Sequence, residues 1–225
     1  VALITGSSRG IGLGIACELA RKNYSIALNA PFLDEELEAA IAKVQNLGVP
    51  VIAAAFDVTD FDRHTEFLSD IESQLGPLTT LVNNAGVSVL QRGDLLAVSP
   101  ESFDRCMSVN AKAVFFLSQA FSKKTLGREI NPDIFHSIIN VTSSNAVAAA
   151  TLRSEYCASK AAAAMISKTL AVRLGSEGIH VYDVQPGLID TDMTAGVIKE
   201  YEKRAKAGLT VLPRIGSVEE VGKIV

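Results

Sequence analysis

Short runs of almost wholly apolar residues alternate, along the whole of this chain, with longer stretches whose apolar residues recur at helical spacing. The strand-length runs are Val1–Thr5, Ser25–Asn29, Val51–Phe56, Leu78–Val82, Ile138–Val141 and Ile179–Val184. Between them lie helical patterns, the first running from Ile11 through Ile15 to Leu19. A second opens at the N-cap candidate Asp34, follows Leu37, Ile41, Val44 and Leu47, and stops at Gly48; a third spans Phe61 to Leu75, before Gly76-Pro77. Ser99-Pro100, a cap followed by proline at the first helical position, opens a long helix through Phe103, Met107, Val114 and Leu117, and Glu155 to Leu174 forms the last. Strands without a polar face must be covered on both sides, which predicts an α/β fold: a doubly wound parallel sheet in a single three-layer domain over residues 1–225. No linker or repeat divides the chain, and Lys123–Asp133 is polar enough to be a flexible surface loop.

Other classes are excluded by composition. The 225 residues suffice for a core without disulfides, and no apolar stretch approaches the roughly 20 residues of a membrane helix. A net charge of −4 with scattered Lys and Arg leaves no footprint for nucleic acid. Cys17, Cys106 and Cys157 are widely spaced, with no CxxC pair, which fits a reducing, cytoplasmic setting and no structural zinc. Asn140-Val141-Thr142 is a formal glycosylation sequon inside an apolar strand, and is read as accidental.

Three motifs carry chemistry. Gly6-Ser7-Ser8-Arg9-Gly10-Ile11-Gly12 lies between the first strand and the first helix, where glycines let a pyrophosphate approach the backbone and helix N–H groups bind it. The same residues contain Gly-x-Ser-x-Gly, the nucleophile elbow of a serine hydrolase; that rival reading needs a histidine from among His64, His136 and His180. Tyr156 and Lys160, at i and i+4, share one helix face, and a cation about 5 Å from a phenol lowers its pKa by about two units at moderate dielectric.

Taken with Asn83-Asn84-Ala85-Gly86, Asn110, Ser143 and Pro186-Gly187 with Thr191, these motifs resemble the short-chain dehydrogenase/reductase family over the whole chain. The stretch Pro186-Gly187-Leu188-Ile189-Asp190-Thr191-Asp192-Met193-Thr194 is most similar to its 3-oxoacyl-acyl-carrier-protein reductases. The resemblance implies a Rossmann fold, and a catalytic set in which Ser143 binds the carbonyl oxygen and Tyr156 passes the proton. Lys160 would lower the phenol pKa and hold the nicotinamide ribose, and Asn110 would hold a water leading to solvent. It implies that Gly6, Ser8, Arg9, Gly10, Ile11 and Gly12 hold the cofactor phosphates, that Asp57 and Val58 meet the adenine, and that Asn84, Ala85 and Gly86 lie against the cofactor. Pro186, Gly187, Ile189 and Thr191 would surround the nicotinamide.

The second strand ends Asn29-Ala30-Pro31 without an acid, while Arg9 can meet a 2′-phosphate, so NADP(H) is expected to be preferred and NAD(H) possible. Asp34, Glu35 and Glu36 are read as first-turn helix charge. The expected substrate is a 3-oxoacyl thioester on acyl carrier protein or CoA, as in fatty-acid biosynthesis. A sugar, polyol or other alcohol is the alternative, and a cofactor-sensing protein without catalysis is an outlying one. An acidic carrier protein calls for a basic residue where this chain has Glu177; Arg153, Lys123, Lys124 and Arg128 are the candidates to compensate. The family continues beyond Arg214-Ile215-Gly216-Ser217 with a helix and an edge strand, and this sequence stops within that helix. A homotetramer is the family's expectation, and Met193 to Leu212 is read as either a substrate lid or a plain amphipathic helix.

Overall fold

The strands are β1 (Ala2–Ile4), β2 (Ile26–Ala30), β3 (Val51–Ala55), β4 (Thr80–Asn83), β5 (His136–Val141) and β6 (Ile179–Val184) in the computed structural model, which describes residues 1–129, 131, 133–192 and 194–225. They form one parallel sheet in the order β3-β2-β1-β4-β5-β6. The α-helices are α1 (Gly10–Arg21), α2 (Glu35–Gln45), α3 (His64–Leu75), α4 (Pro100–Met107), α5 (Ala113–Leu126), α6 (Ser154–Leu174), α7 (Ile198–Arg204) and α8 (Val218–Ile224).

Alternation of side chains along each strand builds two cores, one on each face. Ala2 and Ile4 pack with Ile26, Leu28, Ile139 and Val141 against Ile15, Leu19, Leu37 and Val44 of α1 and α2. Leu3, between them, points the other way and joins Leu81, Ile138 and Ile179 against Phe67, Leu68, Leu117 and Phe121 of α3 and α5. Most positions in the strands are therefore apolar on both faces, because each face has its own layer of helix. The same alternation of faces explains why the doubly wound arrangement could be read from the sequence.

Local signals act where expected. The Asp34 side chain accepts from Leu37 N at 2.9 Å, the Ser99 side chain accepts from Ser102 N at 3.2 Å, and Gly48 and Gly76 end their helices at φ 87° and 86°. The long helix expected from Pro100 through Leu117 is broken: residues Ser108–Lys112 form a π turn between α4 and α5. Its extra residue per turn is invisible to a 3.6-residue pattern, because apolar residues continue through it. Lys123–Leu126, expected in a surface loop, instead close α5.

β1 and β4 are neighbours, although their chains run outward in opposite directions, β1 to β2 and β4 to β5. This is the topological switch point, where the carboxyl ends of parallel strands leave a crevice for ligands. The Gly6–Gly12 turn follows β1 and Asn84–Gly86 follows β4, so the fold brings two of the sequence motifs to one place. A third element arrives over α1: the loop after β6 pairs Ile189 with Gly216, and α8 crosses α1 where Gly14 and Gly222 leave no room for a side chain. A Cβ on Gly222 would stand 2.8 Å from the Gly14 carbonyl oxygen.

Candidate active site

Gly6 (φ 59°) and Gly10 (φ 55°) take left-handed backbone that other residues enter at a cost, and they fold the turn tightly enough that a Cβ on Gly12 would lie 2.4 Å from the Gly6 oxygen. Buried polar side chains pin this turn. Asn29 accepts from Gly6 N at 3.1 Å, and Asn84 donates its amide to the carbonyls of Thr5 (2.9 Å) and Gly6 (2.8 Å). Thr5 Oγ1 accepts from both Asn84 N and Ala85 N at 3.0 Å. The Asn84 side chain is thus turned into the protein, stapling β4 to β1. Arg9, the N-cap of α1, makes no side-chain cap, so the first N–H groups of a twelve-residue helix face the crevice without an internal partner.

Across the crevice, Ser143 follows β5 by two residues. Its Oγ accepts from Asn145 N at 3.1 Å, so its proton is available to the Tyr156 phenol or to a substrate oxygen. The adjacent Ser144 is fixed by its backbone, N to Pro186 O at 2.9 Å. Tyr156, in the first turn of α6, has its phenol pKa pushed up by burial, against the opposing pull of the Ser143 hydroxyl and the Arg153 charge. Lys160, one turn on, is 5% exposed; its Nζ lies 5.9 Å from the Tyr156 ring centroid and donates to Val141 O at 3.0 Å. Burial draws its pKa down from 10.5 to about 8, with Asp183 pulling the other way.

The π turn places Asn110 in the interior, fully buried. Its amide donates to Val87 O (3.0 Å) and Ser159 Oγ (2.9 Å), and its Oδ1 accepts from Val87 N (2.8 Å). The side chain therefore clamps the loop after β4 to α6. Gly86 sits between the two: a Cβ there would be 3.3 Å from Asn110 Oδ1 and 3.5 Å from Lys160 Nζ.

Other expected contacts are distributed around this centre. Ile11 packs on the α1–α2 core beside the turn, and the Thr191 methyl lies over Gly10, 3.8 Å from where a Cβ would be. The Pro186-Gly187 loop is thereby folded back onto the glycine turn, with Ile189 bridged to Gly216. The Asp57 carboxylate accepts from Thr59 N (2.8 Å) and Thr59 Oγ1 (2.7 Å), an Asx turn. Val58 is a core residue, 7% exposed. Met193, part of the reductase-like stretch and of the lid reading, lies outside the described residues; beyond it, α7 buries Tyr201 and a π turn over Ala205–Leu209 follows.

Glu36 departs from the sequence reading. Beyond being a first-turn charge, it accepts from Ser8 Oγ at 2.5 Å and from Arg9 Nη1 at 3.1 Å, which ties α2 to the two residues assigned to the cofactor phosphate. The histidines required by the hydrolase reading are engaged elsewhere. His64 bonds Val58 O, His136 bonds Ile134 O and His180 stacks on Phe135, so Ser8 has a carboxylate and not an imidazole for a partner. The candidate basic residues for a carrier protein also separate: Lys124 and Arg128 both pair with Glu72, and Lys123 bonds Gln119. Glu177 pairs with Arg173 at 3.0 Å. Only Arg153 belongs to the site, its guanidinium 5.2 Å from the Tyr156 ring centroid. Arg92, in a loop, and Tyr201, in α7, are linked at 3.3 Å and lie near Arg153, in stretches with no recognisable motif.

The short chain dehydrogenase family pattern matches residues 1–202 of this chain. Gluconate 5-dehydrogenase of Gluconobacter oxydans is 34% identical over 226 aligned positions, covering 98% of this chain and 83% of its own. The crystal structure of a 3-oxoacyl-[acyl-carrier protein] reductase from Brucella melitensis in complex with NAD superposes with a TM-score of 0.94 at 37% identity, over 99% of this chain and 87% of its own. A short chain dehydrogenase from Burkholderia cenocepacia in complex with NADP superposes with a TM-score of 0.85 at 31% identity, again over 99% and 87%. No α-helix among the described residues is long and apolar enough to cross a membrane.

Proposed function

The chain belongs to the short chain dehydrogenase family of oxidoreductases, and we propose that it interconverts a carbonyl compound and the corresponding secondary alcohol with NADP(H), accepting NAD(H) less well. The observation that carries this reading is the convergence of Ser143, Tyr156 and Lys160 with the glycine turn at the switch point. The residues fit a dinucleotide. The uncapped N-terminus of α1 and the two left-handed glycines suit a pyrophosphate, and the buried ammonium of Lys160, without an ion-pair partner among the described residues, suits the hydroxyls of a ribose. When bound, the nicotinamide supplies the two-electron hydride.

Ser143, its oxygen already satisfied by Asn145 N, donates to the carbonyl oxygen and stabilises the charge that develops there. Tyr156 gives that oxygen its proton. Burial keeps the phenol protonated at neutral pH, the state needed for reduction. Lys160 favours the phenolate that forms, and the Val141 carbonyl keeps its ammonium in place. The Arg9 guanidinium, with no acid at the end of β2, supports the preference for a 2′-phosphate.

A 3-oxoacyl thioester is the first substrate to try, given the name of the Brucella protein, and a hydroxy acid or polyol the second, given that of the Gluconobacter protein. The fatty-acid pathway and a homotetramer belong to the same proposal. The test is oxidation of NADPH and NADH with acetoacetyl thioester, simple ketones and ketoses, in the wild type and in Tyr156→Phe. Loss of turnover by about a thousandfold with cofactor affinity kept supports the mechanism; turnover that survives the substitution overturns it.

A further inference from the structure

Arg92 and Arg153 come from distant parts of the chain but are brought into one neighbourhood, because Gly93 N donates to Leu152 O at 3.2 Å and so joins the two loops, and the charges of both reach the Tyr201 phenol. Arg153 lies 5.2 Å from the Tyr156 ring centroid and donates to Asn145 Oδ1 at 2.6 Å, the same Asn145 whose N–H holds Ser143. Arg92 donates to the hydroxyl of Tyr201, a residue buried in α7.

These guanidiniums differ from most others in the chain. Arg9, Arg21, Arg63, Arg128, Arg173 and Arg214 each have a carboxylate within ion-pair distance. Among the described residues, Arg92 and Arg153 have none, although the chain holds 25 acids against 21 basic residues. Two positive charges held together without a counter-ion repel one another, and an anion bound between them removes that repulsion. The resulting field is felt at Tyr201: burial pushes its phenol pKa up, but the Arg92 hydrogen bond and the charges of Arg153, Arg92 and Arg204 outweigh this and leave it lowered.

We propose that Arg92 and Arg153 form an anion cradle beside the catalytic tyrosine, and that the physiological substrate is an oxo acid or hydroxy acid whose carboxylate lies within a few bonds of the reacting carbon. The inference rests on the carbonyl reductase reading above and takes the hydroxy-acid substrate of that reading in place of the thioester. Distance selects the anion. A carboxylate bound to Arg153, whose guanidinium is 5.2 Å from the Tyr156 ring centroid, can reach a carbonyl at Tyr156 within a few bonds, whereas the phosphate of a pantetheine arm is separated from its thioester carbonyl by a long chain. A planar carboxylate also suits the paired N–H groups of a guanidinium. In the reduction, the carbonyl carbon takes the hydride, the oxygen takes the Tyr156 proton, and the carboxylate passes through unchanged.

The probes are pyruvate, acetoacetate, levulinate and 5-oxohexanoate, each beside its methyl ester, together with a neutral acetoacetyl thioester. Two quantities are read: displacement of NADPH fluorescence on binding to the enzyme–NADPH complex, and kcat/KM for reduction. At least one acid is expected to bind about tenfold or more tightly than its ester, and Arg92→Ala and Arg153→Ala to cut kcat/KM for that acid by about 10–100-fold and for the ester by much less. Arg92→Lys and Arg153→Lys should recover part of the loss, and an unchanged NADPH affinity shows that the variants are folded. If every acid binds no better than its ester, or the alanine variants weaken acid and ester equally, the cradle is overturned. Failure to bind either nicotinamide cofactor would instead overturn the reductase reading, and the binding arm decides the cradle even where no probe is turned over.

Discussion

Lys160 donates to the carbonyl of Val141 at 3.0 Å, a cation buried at the end of β5 against a neutral acceptor. That contact orients the ammonium beneath the Tyr156 ring, but it does not repay the loss of hydration, and burial lowers the pKa from 10.5 to about 8. The folded protein therefore carries a cost for Lys160 that is fully present below about pH 8, shrinks as the pH rises from there to 10.5, and vanishes above both values, since in that window the unfolded chain binds more protons. Lys160→Met should raise the stability of the cofactor-free protein at pH 7 by up to about 3 kcal/mol, less the lost hydrogen bond, while abolishing turnover. Denaturant melts at pH 7 and pH 10 check it: the gain must be the larger at pH 7.

The Tyr156 phenol predicts opposite pH profiles for the two directions of reaction. Burial raises its pKa, with Ser143 and Arg153 only partly offsetting this, so it stays protonated through neutral pH. Reduction should be flat there and fall on the alkaline side, whereas alcohol oxidation, which needs the phenolate, should climb with pH. Ser143→Ala removes a group that favours the phenolate, and should move the alkaline limb of the reduction profile to higher pH besides lowering kcat by about 10²–10³-fold. Initial rates in both directions between pH 6 and pH 10 are the measurement; a limb that moves down would contradict the assignment.

Gly86 is expected to tolerate no side chain without loss of catalysis. A Cβ there would come within 3.3 Å of Asn110 Oδ1, which must then give by a few tenths of an ångström, and would touch Lys160 Nζ at an ordinary 3.5 Å. Asn110 is held by three hydrogen bonds, so the strain falls on the clamp it forms between the loop after β4 and α6, beside Lys160. Gly86→Ala should lower kcat by about tenfold with a smaller effect on global stability, about 1 kcal/mol. Gly12→Ala is the contrasting case: its Cβ would meet backbone at 2.4 Å, and loss of cofactor binding together with a fall in stability of several kcal/mol is the expected result.

What could be read beforehand followed the periodicities. Strands almost wholly apolar and helices opened by Asp34 and Ser99 announced the layered sheet, and the spacing of Tyr156 and Lys160 announced one helix face. The π turn at Ser108–Lys112 was not legible, because nothing in its composition interrupts the helical pattern. Nor was the clamp that Asn110 makes with Val87 and Ser159, since it depends on that turn. Arg92 and Arg153 lie in loops, and their proximity is set by one backbone hydrogen bond between residues far apart in sequence, a relation that has no local signature. Asn84 could be recognised, but its direction, inward to the Thr5 and Gly6 carbonyls, follows from the packing of β4 beside β1.

Glu36 bears on the choice between the two nicotinamide cofactors. Read as helix-terminal charge, it nonetheless reaches Ser8, of the glycine turn, and Arg9, the residue that would meet a 2′-phosphate. The pair is open to solvent, with side chains 63% and 44% exposed, so it contributes little to stability and is easily exchanged for a better partner. A phosphate that takes Arg9 must nevertheless displace the Glu36 carboxylate or remain beside it, and either lowers the affinity for NADPH relative to a chain without that acid. Glu36→Gln removes the competing charge while keeping the side-chain shape. It should tighten NADPH binding by about 3–10-fold and leave NADH within about twofold. Arg9→Ala should do the reverse, weakening NADPH selectively. Titrations of both cofactors with both variants decide the matter: if Glu36→Gln moves NADPH and NADH together, the carboxylate acts on the turn as a whole and not on the 2′ position.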